Sequence, residues 1–569
     1  MSAAKRSAGR TAAGDELVFL ALGGLGEIGM NAYLYGFGPE DQRRWLMVDC
    51  GITFPEGEND PGIDVILPDV RFIEENRGDL AGIVITHAHE DHIGAVIELW
   101  PRLKAPVYAT PFTAGMLRSK LAEHGNGLEI PIHVVPLDSQ FNVGPFSVEL
   151  FSLTHSIPEM SALAIRTRLG TVFHTGDWKL DATPTIGVPA DAARLARLGE
   201  EGVLALVVDS TNAFREGISP SEKDVAQSLV EIVKDAPKRV AVTTFSSNVA
   251  RVKAIAEAAR AAGRQLVVAG RALHRVIEVA IDTGYLPQGF RYLDQDQFTY
   301  LDRKDTVLLC TGSQGEPRAA LARIAEEEHG EISLDKGDLV IFSSRTIPGN
   351  EKAVGRIQNN LARNGCEILT DNEALVHVSG HPRRDELRQM YRWMRPKIAV
   401  PMHGEPRHLK AQAELARDMG VATVFTLTDG EILRLTPDPA VIDDAPVGRI
   451  FRDGRLLVPE TEGPVRERRK LSVVGVIAVS LCVSRKGALL GEPQAVLDGV
   501  PAATADGDAM LDVVLDAVDG TLRSIPPHNR KNPETLAESV RRAVRAAVNQ
   551  AWGKKPICKV LVNVIDTKG

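Results

Sequence analysis

No apolar run in this 569-residue chain approaches the roughly 18 residues needed to cross a bilayer; stretches such as Leu204 to Val208 are among the longest. That excludes an integral membrane protein built on helices. Cysteine is scarce: Cys50, Cys310, Cys366, Cys482 and Cys558 stand singly, with no CxxC pair and an odd total. This argues against a disulfide framework and against a cysteine zinc site, and it suits a reducing cytoplasm. Met1 to Gly14 contains no acid and no apolar h-region, so it is not a secretory signal; its Ala, Arg and Lys content reads as a disordered basic tail rather than an organelle-targeting peptide. Positive charge is also lacking overall, with a net charge of −9 and a pI near 5.9. Taken alone this argues against nucleic acid, whose phosphates are bound by lysine and arginine. It does not decide the matter, because whole-chain charge says nothing of a local groove and bound divalent metals add positive charge where a chain is acidic. No internal repeat is visible.

What is present is an ordinary globular composition, 44 % hydrophobic and 25 % charged, in a chain long enough for about three or four domains. Short apolar runs (Leu17 to Leu22, Trp45 to Val48, Ile83 to Ile85, Val148 to Leu153, Val203 to Val208) alternate with Gly, Pro and Asp turns and a helical stretch at Ile93 to Leu99. This predicts a layered α/β domain over 15–220. Amphipathic helices at Asp224 to Lys234 and Val249 to Ala262 alternate with strand-like runs up to about Leu369, which predicts an inserted open parallel sheet over 221–374. The first pattern resumes over 375–448. A polar connector follows at 449–470, and a small α/β unit closes the chain over 471–569, with strands at Leu471 to Val483 and Ile557 to Ile565 and helices at Leu511 to Leu522 and Pro533 to Trp552. Asn532 before Pro533 has the chemistry of a helix cap.

The chemistry is concentrated in His87-Ala88-His89-Glu90-Asp91-His92, directly after the apolar run Ile83 to Ile85. Three imidazoles and two carboxylates within six residues cannot all be satisfied core groups, and a loop at a strand end lets them converge. Zinc takes such ligands, and an H-x-H-x-D-H loop is strong evidence for a di-metal site. His155, Asp177 and His403 each follow an apolar run as well, with small residues close by. Within Leu22-Gly23-Gly24-Leu25-Gly26-Glu27-Ile28-Gly29 the glycines 24, 26 and 29 could be mistaken for the G-x-G-x-x-G of a dinucleotide site, but Asn31-Ala32-Tyr33-Leu34 after them reads as a strand, not a helix.

In order and context these motifs resemble the metallo-β-lactamase superfamily. The resemblance implies an αββα sandwich in which His87, His89 and His155 hold one zinc, Asp91, His92 and His403 hold a second, and Asp177 bridges them. Two metals about 3.5–4 Å apart clamp the attacking and leaving oxygens of a phosphoryl displacement, and a bound water with its pKa lowered to about 7 is the nucleophile. Asp91 also orients that water.

Val207-Val208-Asp209-Ser210-Thr211-Asn212, the inserted domain and His377-Val378-Ser379-Gly380-His381 are similar to the β-CASP subgroup, which acts on nucleic acids. There, His381 held by Asp209 would protonate the departing ribose oxygen; the plainer alternative is a turn cap and a structural histidine. Glycine-rich Leu22 to Asn31, Gly62-Ile63-Asp64, Thr244 to Asn248, Thr311 to Pro317 and Ile347 to Glu351 resemble the ribonuclease J family, from about residue 15 to the C-terminal unit. By that resemblance Ser246, Ser247, Asn248, His377, Val378, Ser379, Gly380 and His381 contact the RNA backbone or its 5′-phosphate, as backbone amides and small hydroxyls do. Ser246 and Ser247 read equally well as a turn or N-cap before Val249, and the two roles coexist. Gly62, Asp64 and Asp453 match positions that hold a structural calcium or other divalent ion in some relatives, although either aspartate equally suits a turn.

The family reading implies a cytoplasmic ribonuclease for RNA maturation and decay. It would be a 5′-to-3′ exonuclease preferring single-stranded 5′-monophosphate RNA, with endonuclease activity, using two zinc ions, with magnesium or manganese also able to support turnover. A C-terminal unit would mediate a homodimer or homotetramer, and other RNA-decay proteins would be partners. The alternatives are a β-CASP DNA nuclease and an RNA-binding scaffold subunit; the inserted domain and His381 argue against a hydrolase of small esters or lactams.

Overall fold

The computed structural model describes residues 14–57, 59–125, 127–347, 349–526 and 528–566. The basic tail expected over Met1 to Gly14 lies outside them except for Gly14, as does Pro348 of the Ile347 to Glu351 run. The described chain divides into two compact units: residues up to Phe54 with Val65–Ile450, and Pro55–Asp64 with the chain from Phe451.

In the first unit, strand Glu16–Gly23 explains the layering. It is apolar at nearly every position because both of its faces are buried. Leu17, Phe19 and Ala21 point into one core, while Val18, Leu20 and Leu22 point into another, as a period of two requires. Strand Ala205–Asp209 does the same, sharing Ala205 and Val207 with the first of these cores and giving Leu206 and Val208 to a third, where Leu195, Leu198, Leu387 and Met390 cover it from two helices. An eight-stranded sheet and a seven-stranded sheet thus pack face to face with helices outside each, which is the expected αββα sandwich.

The site is positioned by topology. Strands Gly170–His174, Ala205–Asp209 and Ile398–Met402 are neighbours and run parallel, so their C-terminal ends open on one edge. The inserted domain carries a six-stranded, wholly parallel sheet. Its central strand Val240–Thr243 lies between Thr306–Cys310 and Leu339–Phe342, and residues 246–248 follow at its carboxyl end, where open α/β sheets bind ligands.

In the second unit, strands Gln494–Asp498, Val476–Ser484 and Ile557–Ile565 pack on helices Met510–Ser524 and Pro533–Trp552 through Val479, Leu481, Val514, Val540 and Val544. Asn532 caps the last helix, its side chain accepting from the amides of Glu534 and Thr535. The expected boundary at 471 falls inside a helix, Val465–Val474, where a strand was expected. Gly475 ends that helix at φ 63°, and a Cβ there would lie 2.5 Å from the Gly499 carbonyl oxygen, so only glycine makes the turn into strand Val476–Ser484.

Candidate metal centre

Four imidazoles reach the site with their outer ring nitrogens already committed. His87 Nδ1 lies 2.9 Å from Thr86 Oγ1, which itself donates to Asp49 Oδ2 at 2.9 Å, so His87 Nδ1 carries the proton and Nε2 presents a lone pair. His92 Nδ1 donates to Asp49 Oδ2 at 2.7 Å, and His155 Nδ1 to the Gly380 carbonyl at 2.7 Å. His403 Nδ1 donates to Thr211 Oγ1 at 2.8 Å, since that hydroxyl gives its own proton to the His403 carbonyl at 3.2 Å. Such outer partners fix tautomer and orientation in metal sites.

The free lone pairs face one another. His87 Nε2 and His155 Nε2 each lie 3.1 Å from His89 Nδ1. His87 Nε2 and His155 Nε2 both turn lone pairs to His89 Nδ1, so the three nitrogens share at most one proton, whereas a cation among them would satisfy all three, which is the observation that fits this set to a metal. Burial, aided by the neighbouring rings, holds His87 and His155 well below the ordinary histidine range and His89 at about 4, so all three are neutral donors.

A second set adjoins the first. His92 Nε2 lies 3.1 Å from Asp177 Oδ2, and His403 Nε2 lies 3.4 Å from the same oxygen and 3.2 Å from Asp91 Oδ2. Asp177 Oδ2 is also 4.0 Å from His155 Nε2, between the two sets, while its Oδ1 is buried without a hydrogen-bond partner. Burial would raise the Asp177 carboxyl, but the His403 and His92 rings beside it outweigh this and hold it well below the usual carboxylate range. The seven residues predicted to bind metal therefore converge, in two groups able to hold divalent ions.

Beside them, His381 Nδ1 donates to Asp209 Oδ2 at 2.8 Å. Burial works against a charge on His381, but the Asp209 carboxylate prevails and lifts it to about 9. Asn212 fixes the loop, its amide donating to Ser379 Oγ at 2.9 Å and to the His381 carbonyl at 3.1 Å. Gly380 must be glycine: a Cβ would lie 2.5 Å from His155 Nδ1.

The residues expected to contact phosphate are placed less tightly. Asn248, rather than Ser246 or Ser247, caps helix Val249–Ala261, its side chain accepting from the Arg251 amide at 2.9 Å, and the two serines are left half-buried. Arg251 reaches from that helix to the Val376 carbonyl at 2.8 Å, which brings the helix start next to the segment 376–381. His377 there is kept neutral by burial and by Arg251 and Arg345, and Val378 is buried.

Gly62, Asp64 and Asp453 do not fit a bound ion. Asp453 Oδ2 is paired with Arg468 Nη2 at 2.7 Å, Arg468 Nη1 donates to the Pro61 carbonyl at 3.3 Å, and Asp64 Oδ2 accepts from the Gly454 amide at 2.9 Å. The Arg468 guanidinium already neutralises Asp453 and reaches over Gly62.

Sequence reasoning missed Asp49 and Asn31. Asn31 is fully buried; its amide donates to the Asp91 carbonyl at 3.0 Å, and its Oδ1 accepts from Tyr33 at 2.7 Å. Asp49, at φ 61°, sits just past strand Arg44–Val48, the same strand-end position that distinguishes the metal ligands, and that signal was readable.

Comparison with known proteins gives four family matches: a beta-lactamase superfamily domain over 44–204, a ribonuclease J beta-CASP domain over 237–361, a Zn-dependent metallo-hydrolase RNA specificity domain over 367–427, and a ribonuclease J C-terminal domain over 463–565. Ribonuclease J of Sinorhizobium meliloti is 54 % identical over 97 % of this chain and 98 % of its own. Those of Corynebacterium glutamicum and Mycolicibacterium smegmatis are each 38 % identical over 94 % of this chain, covering 74 % and 95 % of their own lengths. A crystal structure of an Enterococcus faecalis protein of unknown function aligns with a TM-score of 0.51 at 18 % identity, over 74 % of this chain and 100 % of that one, which shows a shared fold.

Proposed function

The chain belongs to the ribonuclease J family, and from that membership we propose that it is a zinc-dependent phosphodiester hydrolase removing nucleotides from 5′-monophosphate, single-stranded RNA and also cutting internally. The observation that carries the reading is the meeting of two ligand sets at Asp177 Oδ2, with a histidine–carboxylate pair beside them. His87, His89 and His155 would hold one zinc ion and Asp91, His92 and His403 the other, bridged by Asp177. Bound divalent ions supply a water with its pKa lowered to about 7 and polarise the phosphoryl oxygens.

The chain's own groups do the rest. Asp91, 28 % exposed at its side chain while its histidine neighbours are closed off, accepts a hydrogen bond from the attacking water and directs its lone pair. His381, its Nδ1 proton tied to Asp209, offers Nε2–H to the departing ribose oxygen; cations bound next to it would draw its pKa down from about 9 toward neutrality, where proton transfer is most effective. Ser246 and Ser247, with His377, Ser379 and the backbone from Val378 to Gly380, bind the terminal 5′-phosphate one nucleotide from the metals. A triphosphate there is bulkier and more charged, which disfavours it.

The test uses RNA with a labelled 5′-monophosphate and compares the wild type with an Asp91→Ala/His92→Ala variant, with zinc, manganese or magnesium supplied. Labelled mononucleotide from the wild type alone is expected. Internal fragments alone would make the protein an endonuclease, equal cutting of DNA would favour a β-CASP DNA nuclease, and no cleavage under any ion would favour an RNA-binding scaffold role in the cytoplasm.

A further inference from the structure

Loop 209–218 leaves the catalytic edge immediately after Asp209, and its first part is fixed. Thr211 holds His403, Asn212 holds the His381 carbonyl, and Asn212 and Ala213 are buried. The next residue, Phe214, is instead 48 % exposed. Its ring stacks on the His408 imidazole at 5.1 Å between centroids and 29° between planes. His408 is buried and cannot turn, because its Nδ1 accepts from the Glu405 amide at 3.0 Å; burial keeps it neutral. It is also pressed against the metal-ligand loop, since a Cβ on Gly404 would lie 2.8 Å from its own Cβ. The guanidinium carbons of Arg215 and Arg407 lie 5.7 and 5.9 Å from the Phe214 ring centroid. Covering His408 would not require so large an apolar ring to stand half in water.

A rigid aromatic ring backed by an imidazole, with two guanidinium groups reaching over it that a base would displace toward its own phosphates, is what single-stranded nucleic acids stack upon. We propose that Phe214 is a stacking platform for a nucleobase of the RNA strand next to the scissile phosphate, with Arg215 and Arg407 answering the adjoining phosphates. This rests on the ribonuclease reading above. Stacking has no preference among bases, so the platform would strengthen binding of the strand without selecting its sequence. Arg407 also pairs with Glu405 at 3.0 Å, and a phosphate would compete with that carboxylate for it.

The experiment compares wild type, Phe214→Ala and Phe214→Trp on a 5′-monophosphate RNA 20-mer. A parallel binding series uses the same strand with 2-aminopurine moved along it, since stacking quenches that fluorophore. Phe214→Ala is expected to raise KM about tenfold, equivalent to about 1.4 kcal/mol, with kcat within twofold. It should also relieve the quenching at one position, and Phe214→Trp should restore both. An unchanged KM for Phe214→Ala, or Trp behaving like Ala, would overturn the proposal. So would a fall in molecular mass by light scattering, because the ring would then serve contact between copies. If the wild type cut no RNA, the ribonuclease reading would fail by itself. Quenching that is present in the wild type and lost in Phe214→Ala would still support the platform, and its absence would overturn it.

Discussion

Asp49 shows how much of this site lies one residue behind the ligands. Its carboxylate accepts hydrogen bonds from His92 Nδ1 and from the amide and hydroxyl of Thr86, which in turn holds His87. Removing it frees two imidazoles to turn or change tautomer, so Asp49→Ala should weaken metal binding about 10- to 100-fold, read by competition with a chromogenic chelator. His381 calls for a different readout. If it donates the proton to the leaving oxygen, His381→Ala should slow RNA cleavage about 10²- to 10⁴-fold and barely slow hydrolysis of a p-nitrophenyl phosphodiester, whose leaving group needs no proton. Equal losses on both substrates would make His381 a binding residue. Asp429 carries the clearest pH signature. Burial, with Glu27 close by, pushes its carboxyl up to about 8 while it accepts from the Leu25 amide at 3.1 Å. A folded-state pKa above the unfolded value of about 3.9 means that folding disfavours the ionised form, so stability is lost as pH rises from about 4 to about 8. Asp429→Asn keeps the oxygen that accepts from Leu25 and should raise Tm, by a margin that widens from pH 5 to pH 8; a constant margin would show that Asp429 is already ionised at pH 5.

Between elements, two arginines join segments far apart in sequence. Arg251, wholly buried on helix Val249–Ala261, pairs with Glu222 at 2.9 Å and donates to the carbonyls of Ser343 and Val376 at 3.0 and 2.8 Å. It thus ties the start of the insert, the end of one of its strands and the segment leading to His381. Arg251→Met leaves a buried carboxylate unpaired and should cost about 3–5 kcal/mol of stability by denaturant titration. Arg468 does similar work beside Gly62 and Asp453. Calcium should leave the Tm of the wild type unchanged and raise that of Arg468→Met, where Asp453 has lost its internal cation; a rise in both would mean that the ion displaces the arginine. Both pairings explain what could and could not be read from the sequence. His87 to His92 was legible because five ligand-type side chains crowd into six residues after an apolar run, and His155, Asp177 and His403 because each ends a strand. Arg468 was not, since an arginine on an amphipathic helix carries no mark of the carboxylate 15 positions before it. Asn248 displaced the serines as the helix cap because cap identity depends on one residue of register. Helix Val465–Val474 was hidden by Leu471-Ser-Val-Val, whose β-branched pair reads as the start of the strand that begins only at Val476.

At the scale of the molecule, what needs explaining is the C-terminal sheet. One face is filled by its helices through Ile477, Val479, Leu481 and Val483, as the alternating burial of strand Val476–Ser484 requires. The other face carries Val496 and Leu561, 60 % and 63 % exposed, and the nine-residue strand Ile557–Ile565 stands at the sheet's edge, with Ile565 also exposed. An edge of that length beside apolar side chains is a template for another strand, and monomeric proteins blunt such edges with charges, bulges or proline. Here Lys559 is the single charged residue on the strand. Association of two copies through this face removes the exposed apolar area and pairs the edge at once, so the protein should run as a dimer or tetramer by light scattering. Leu561→Glu, which places a carboxylate in the middle of the face, should halve the mass at micromolar concentration while leaving the metal centre loaded. A monomeric wild type would mean that the face awaits a different protein, and an oligomer indifferent to Leu561→Glu would move the contact between copies elsewhere on the chain.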